Sequence, residues 1–497
     1  MSGGPQTEIP CLSSDALRRG GREPATPFQV RGEDGEIIVV SRLLRVLPGK
    51  RLVGEAEWCG WRGRRVLAKL FVGRDGDRRW ARERQGLALL RDAGLPTPEV
   101  ARAGRIEGGG RFLLTEFLEA SRTLAERCAG SETETPAPED APALEALRPA
   151  FALLGRLHAA GLIQTDPHLG NFLEHQGALY LIDGDGVRRA RAGDGARARQ
   201  ALDNLALLAA QLPPAWESRV DALLDAYAPE YTQEYTQEHA LPNFECDVLA
   251  RAIEQARARR LAHFLGKTLR DCSQFAVRRT ARRFSSVVRA ESEALAALLD
   301  APDAAIARGA LLKDGNTCTV ARVEVDGRAL VVKRYNLKNP CHALSRCWRP
   351  SRAWHAWLAA HRLAFHGVAT PAPLALVEER AGPLRRRAFL VTEFCPGDEL
   401  GQRLAPGREP DTAEAAAIGA LFGLLFRLKI THGDLKATNF LWRGPRLVLL
   451  DLDAVTLHRS EAAFARGWRR DRARFLRNWP ADSALHRWLD AHLPEVR

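Results

Sequence analysis

ITHGDLKATNFL (residues 430–441) sets an Asp, then an Asn five residues later, then Phe-Leu. LIQTDPHLGNFL (162–173) writes the same pattern earlier in the chain. The spacings continue outward from both stretches. Asn171 to Asp183 is twelve residues, as is Asn439 to Asp451, and each half adds an acid two residues on, Asp185 and Asp453. Upstream, GLPTP (94–98) matches GVATP (367–371), and TEF recurs at 115–117 and 392–394. Lys69 and Lys333 each interrupt an apolar run, VLAKLF and LVVKRY. One such match means little, but an ordered set at long period is the mark of an internal duplication.

The coarse element order repeats as well. In the first half EIIVVSRLLRVL, RLVGEAEW and RRVLAKLF read as strands, and RRWARERQGLALLRDAG as a helix ending at Gly94. In the second half ALLKDGNTCTVARVEV and RALVVKRY read as strands, and WHAWLAAHRLAFHG as a helix ending at Gly367. Each half then gives a TEF strand, a helix, the Asp/Asn stretch and an apolar strand ending in acids. Residues 1–30, rich in Gly, Pro, Ser and Arg, are expected to be a flexible arm. Residues 128–143 and the short repeat EYTQEYTQEH (230–239) read as polar loops, and 251–270 as a basic helix. The expected organisation is an arm (1–30), a first domain with a helical extension (31–270) and a second domain (271–497).

Composition narrows the class. At 497 residues two or three domains are expected, and 45% apolar with 27% charged residues is ordinary for a globular protein. The net charge of +12 suits an anionic substrate or an anionic membrane surface. Only eight of the 73 basic residues are lysines, so a Lys inside an apolar strand is informative. The nine cysteines show no CxxC pair, which argues against structural zinc and suits a reducing cytosol. The N-terminus lacks the apolar segment of a secretion signal, and the longest apolar run, 415–426, is too short to span a bilayer. A cytoplasmic protein, at most peripheral to the inner face of the cytoplasmic membrane, is expected. Aromatic content is 7% and Arg runs such as RRTARR (278–283) are short, so no nucleic-acid partner is expected.

The repeated residues suit phosphoryl transfer, which needs positioning and charge neutralisation more than covalent chemistry. Asp166 or Asp434 can accept the proton of an acceptor hydroxyl. Asn171 with Asp183, or Asn439 with Asp451, offers oxygen ligands for Mg²⁺. Lys69 or Lys333 can reach nucleotide phosphates. Either lysine taken alone is more simply a surface residue of its strand.

HGDLKATN followed by LLDLD resembles the catalytic loop and metal-binding Asp of the protein-kinase-like fold. The full order of Lys strand, helix, G-x-x-TP, TEF strand and catalytic loop is similar to the lipopolysaccharide kinase (InaA-like) family. DPHLGN also resembles the UbiB-type kinases, although the KxGQ stretch of that family is absent. The resemblance implies an α+β fold of two tandem protein-kinase-like domains, each with a small β-rich N-lobe and a mostly helical C-lobe. It implies ATP and Mg²⁺ as cofactors and a sugar hydroxyl of the lipopolysaccharide inner core, heptose or related, as acceptor. Asp166 and Asp434 would be catalytic bases, and Asn171, Asp183, Asn439 and Asp451 metal ligands. Lys69, Glu83 and Lys333 would serve the phosphates. Glu116 and Glu393 would stand at the hinge beside adenine, recognising it through backbone, and PGKRLVGEAEW and LKDGNTCTV would cover the phosphates. Lys436 would touch the transferred phosphate or simply be solvated.

Two departures stand out. The His expected two residues before Asp166 is Gln164, whereas His432 precedes Asp434. Glu83 can pair with Lys69, but the position matching it in the second half is Ala356, and no acid lies between Lys333 and Glu378. Lys333 is therefore expected to lack its orienting partner. Only 46 residues follow Asp451, and DFG and APE are absent, so a small-molecule or glycolipid acceptor is favoured over a protein. The alternatives are an aminoglycoside-type phosphotransferase and a non-catalytic, pseudokinase-type nucleotide-binding scaffold.

Overall fold

The structure, a computed structural model, describes residues 9–61, 65–128, 141–232, 246–336 and 349–496. The chain divides into two compact units, Met1–Ala258 and Arg259–Arg497. The division falls inside one helix, Cys246–Lys267, rather than after residue 270.

In the first unit, six antiparallel strands lie in the order Phe28–Arg31, Ile37–Leu47, Arg51–Trp58, Arg65–Phe71, Arg111–Glu116 and Val100–Arg105. Strand alternation sends Val66, Ala68 and Leu70 into the sheet core with Phe28, Ile38, Leu52 and Phe112. Lys69 therefore points to the other face, where helix Gly76–Asp92 lies. Helices Ala141–Ala159, Asp194–Ala209 and Val220–Thr232 build a second core around Phe151, Leu154, Leu205, Trp216 and Tyr227. Between the two layers of structure run the strand Leu162–Gln164 and the hairpin Phe172–His175 with Ala178–Leu181.

Residues 9–31 are not a loose arm. Ser13 caps helix Ser14–Arg19, Leu17 is buried, Arg18 Nε donates to the Val72 carbonyl (2.8 Å), and Phe28–Arg31 forms the sheet's outer strand. Composition hid this, because only a few apolar side chains here, Leu17, Phe28 and Val30, are buried in the core. Residues 1–8 lie outside the described residues, as do 129–140 and 233–245, where most of the two expected polar loops fall.

The second unit has seven antiparallel strands in the order Phe275–Arg279, Arg283–Val288, Pro373–Ala381, Leu384–Glu393, Arg328–Tyr335, Cys318–Val325 and Ala310–Asp314. The expected stretch 310–325 thus splits into two strands joined at Gly315. Helix Arg352–Phe365 packs on Pro373–Ala381. Helix Thr412–Arg427 starts at a capping box, Asp411 with Glu414, and its Phe422 stacks on Phe440 and packs at an angle against Phe475 and edge-on against Trp468 in the helical core. Helices Glu461–Leu476 and Ala484–His492 complete that core. Each unit therefore mixes an antiparallel sheet with a helical layer, an α+β architecture.

Candidate active site

In the second unit Leu330 and Val332 face the sheet core, so Lys333 emerges on the opposite face. Its ammonium donates to Asp451 Oδ1 at 2.5 Å and to Asp453 Oδ2 at 2.9 Å. Lys333 is thus not without a partner, contrary to the sequence reading. Ala356 is where the helix would have offered an acid, and it is buried without one. Asp453 supplies the carboxylate instead, from the turn after Asp451. Tyr335 donates its hydroxyl to Asp453 Oδ1 (2.5 Å), and Arg352 reaches Asp453 Oδ2 (2.7 Å).

Lys333, Glu393, Asn439 and Asp451 line one cleft of about 570 Å³. Its remaining wall is largely apolar, with Leu312, Val320, Val331 and Leu390 on the sheet side and Leu441 and Leu450 beyond. Asn439 Nδ2 donates to the Asp434 carbonyl at 2.8 Å, which leaves its Oδ1 as the oxygen available to a cation. Asp434 itself faces two cations, Arg474 at 2.5 Å and Lys436 at 3.2 Å. The N–H of Glu393 donates to the Ala372 carbonyl (3.0 Å) and its carboxylate pairs with Arg328 (3.1 Å), so neither is free for a base.

The first unit brings its expected residues together differently. Lys69 and Glu83 form a buried ion pair, and Lys69 also donates to the Ile182 carbonyl at 3.2 Å. Asp166, Asn171 and Asp183 line a smaller, polar cleft of about 330 Å³ with Arg82, Gln164 and Asp185. Asn171 Nδ2 donates to the Asp166 carbonyl (3.1 Å), as Asn439 does to that of Asp434. Asp185, the counterpart of Asp453, turns away to Arg82 at 2.7 Å. Arg51, opposite Phe71 in the ladder, lies 3.7 Å from Glu83; the matching residue opposite Tyr335 is Cys318, which lines the larger cleft. The N–H of Glu116 is likewise consumed by the Glu99 carbonyl (2.8 Å). Helix Gly76–Asp92 comes very close to the acidic turn: a Cβ on Gly86 would fall 1.9 Å from the Gly184 carbonyl oxygen.

Charge and burial compete in both clusters. Burial alone would pull Lys333 down, but Asp453 and then Asp451 outweigh it and the ammonium titrates above its ordinary value. Burial pushes Asp451 up, yet Lys333 pulls harder and the carboxyl lies below its ordinary range. Burial, then the Asp453 carboxylate, drives the Tyr335 phenol well above its usual value. In the first unit burial wins at Glu83, whose pKa is raised. At Asp183 burial is outweighed by Lys69 and Arg51, and the pKa is lowered. Among the described residues no three His, Cys, Asp or Glu side chains converge as a metal-ligand group. In either unit taken by itself, a cation would take one carboxylate and one amide oxygen, with phosphate oxygens and water filling its other positions.

The loop carrying each first Asp is held from below. His432 accepts the Asp434 N–H on Nδ1 (3.3 Å) and donates from Nε2 to the Leu450 carbonyl (2.8 Å). Gln164 makes related bonds: Oε1 accepts the Asp166 N–H at 3.5 Å, and Nε2 donates to the Asp183 carbonyl, one residue beyond the match of Leu450, at 2.8 Å. The departure from His therefore keeps the scaffold. Two anchors escaped the sequence reading. Buried Asp471 accepts the N–H groups of His432 (2.6 Å) and Gly433 (3.0 Å). Asn204 accepts the Gln164 N–H (3.1 Å) and contacts His158 Nε2 (3.0 Å). The available signal was Asp471 standing as the one acid in RRDRARFLR, with Arg474 a turn further on. Gly433 (φ +82°) turns beneath Ala454, and Asp451 is left-handed (φ 55°).

Residues 305–478 match the lipopolysaccharide kinase (Kdo/WaaP) family. That match marks the second unit as a phosphotransferase of the kinase kind. No curated protein is similar enough to the chain to count as a relative. Among solved structures, WaaP in complex with acyl carrier protein is 21% identical, covering 44% of this chain and 88% of that one, at a TM-score of 0.31. The PknI kinase domain of Mycobacterium tuberculosis is 18% identical over 44% of this chain and 95% of its own, at a TM-score of 0.28. A rhoptry kinase from Toxoplasma gondii is 14% identical over 51% of this chain and 92% of its own, at 0.30. At such TM-scores these likenesses carry no argument of their own.

Proposed function

We propose that this protein transfers the γ-phosphoryl group of ATP to a sugar hydroxyl of the lipopolysaccharide inner core, heptose or a related sugar, and that the second unit performs the transfer. The observation that carries this reading is the second unit's cleft. It joins a largely apolar slot to Lys333, Asp451 and Asn439 in a cleft of about 570 Å³, with Asp434 tied to Asn439. The base would be read by backbone next to Glu393, such as that of Cys395, which lines the same cleft. Lys333 would hold the nucleotide phosphates. Asp451 and Asn439 Oδ1 would hold Mg²⁺, which neutralises phosphate charge when bound. Asp434 orients the acceptor hydroxyl and takes its proton as the oxygen bonds to phosphorus and the bond to ADP breaks. Arg474 and Lys436 bring positive charge to where negative charge grows on the transferred group.

We read the first unit as a second kinase-like domain, with Asp166 as base, Asn171 and Asp183 as metal ligands, and Lys69 held by Glu83. For this unit Arg51 favours the alternative of a nucleotide-binding scaffold. Its guanidinium stands beside Glu83 and Asp183, where a cation and phosphates would go. The tandem arrangement rests on the repeated geometry of lysine, Asp, Asn and acidic turn in both units.

The acceptor is anionic, and a cationic surface on the second unit suits it. Two hairpin turns join through Arg380 N–H to the Arg282 carbonyl (2.7 Å), and Arg282, Arg283, Arg380 and Arg386 line a groove of about 720 Å³ there. This face would rest on the anionic inner leaflet of the cytoplasmic membrane. Among the described residues no helix is long and apolar enough to cross a membrane. The test is ATP-dependent phosphate transfer to purified inner-core lipopolysaccharide by the wild type, Asp434→Ala, Asp166→Ala and the double variant. Loss with Asp434→Ala and retention with Asp166→Ala is the expected pattern. Full transfer by Asp434→Ala, or none by the wild type, refutes the assignment.

A further inference from the structure

We infer that Asp453 is the positioning residue for Lys333, replacing the helix carboxylate that Glu83 provides to Lys69. The inference rests on the reading of the second cleft as a nucleotide site. Three differences between the units fall at matching positions and agree with one another. Glu83 in helix Gly76–Asp92 becomes Ala356 in helix Arg352–Phe365, counting back from Gly94 and Gly367. Phe71, two residues after Lys69, becomes Tyr335, two after Lys333. The second acid of the turn moves from outside to inside: the Asp185 side chain is 20% exposed beside Arg82, whereas that of Asp453 is 8% exposed beside Lys333.

Each change makes the others workable. A buried lysine needs a buried carboxylate, and with Ala356 the helix has none to give. Asp453 can be buried because its two oxygens are filled: Oδ1 by the Tyr335 hydroxyl, Oδ2 by Lys333 and Arg352. A phenylalanine at 335 would leave Oδ1 unpaired. Conversely, the first unit has no need of an inward Asp185, because Lys69 is already paired and Gly86 brings the helix onto the turn. Ala356 and Asp453 both line the cleft that Lys333 enters, so a longer side chain at 356 would reach the same ammonium.

The experiment moves the carboxylate back to the helix in the full chain. Asp453→Ala, Asp453→Asn, Ala356→Glu and the combination Asp453→Ala with Ala356→Glu are compared by equilibrium binding of Mg·ATP and by steady-state kinetics. Loss of a charge-assisted partner predicts about a tenfold to hundredfold rise in Kd and KM for ATP with Asp453→Ala, and an unchanged KM for the acceptor. The combination should restore ATP binding to within about threefold of wild type, which a merely structural role for Asp453 would not do. Binding by Asp453→Ala within twofold of wild type, or no rescue in a combination that still folds by circular dichroism, overturns the inference. If the wild type binds Mg·ATP and the loss and rescue are seen, yet lipopolysaccharide is not phosphorylated, the positioning role stands and the acceptor falls. If the wild type does not bind Mg·ATP, both fall.

Discussion

Asp471→Ala should loosen the loop that carries Asp434 without touching the cleft. The substitution removes the carboxylate that accepts from two backbone donors, His432 N–H at 2.6 Å and Gly433 N–H at 3.0 Å. Asp471 is 3% exposed, so solvent does not replace the lost oxygens. Leaving a buried donor unpaired costs about 1–3 kcal/mol, so two donors lose about 2–6 kcal/mol of local stability. The first unit supplies an internal control. Asn204 holds the equivalent Gln164 N–H at 3.1 Å with an amide oxygen. Asp471→Asn keeps one acceptor and should lose only about 1–2 kcal/mol. Amide exchange of peptides spanning 430–440, followed by mass spectrometry, reads both. At tenfold per 1.4 kcal/mol, the Ala variant should exchange at least about thirtyfold faster than wild type, and the Asn variant about fivefold to thirtyfold faster. Phosphate transfer should fall in the same order, because Asp434 follows Gly433 directly. Exchange in the Ala variant within threefold of wild type would refute the reasoning, as would an Asn variant as labile as the Ala variant.

Acid should destabilise both units before their carboxylates titrate. Burial lowers His158 to about 4 and His361 to about 3. A depressed histidine pKa gives stability that is complete above about 6.5 and lost as pH falls toward the folded value, so each loses about 2 kcal/mol between pH 7 and 5. Urea midpoints at the two pH values, with His158→Gln and His361→Gln flattening the dependence, check this. Phe422→Ala should destabilise the second unit by about 3–5 kcal/mol, because its ring is fully buried against Phe440 and Phe475. Thermal unfolding that is unchanged would contradict it. Replacing Arg282 and Arg386 with Glu should abolish salt-sensitive sedimentation with phosphatidylglycerol vesicles while leaving Mg·ATP binding intact; sedimentation unaffected by the pair or by salt would discard the membrane face.

The Asp/Asn/Asp spacing was legible because it is set within short loops and hairpins, so chain distance and spatial distance agree. Lys69 and Glu83 were legible for a related reason: one strand and the next helix bring them together. The partner of Lys333 was not. A search along the helix correctly found no acid at 356, but the carboxylate came from residue 453, joined to the lysine only by tertiary folding. Gln164 read as a loss because side-chain identity was compared, whereas the fold uses hydrogen-bond geometry that an amide reproduces. The hinge reading placed recognition on backbone at Glu116 and Glu393, and their own N–H groups are used by the Glu99 and Ala372 carbonyls, pairings that sequence could not show. Asp471 and Asn204 differ in type and lie far downstream of the repeated phrase, so comparing the two halves for matching letters passed over them.

The placement of Asp453 has a consequence for control. Where a lysine is oriented by a helix residue, swinging that helix away disconnects the lysine and silences the site. In the second unit the orienting carboxylate sits two residues from Asp451, on the same short turn, Leu452–Ala454. On the proposed reading the lysine clamp and the cation ligand would be one mechanical part, with the helix attached through Arg352. A displaced helix would tug on that part without removing the charge that orients Lys333. A site built as proposed would have no clutch: it would stay engaged whenever it is folded, and its output would follow the supply of nucleotide and acceptor.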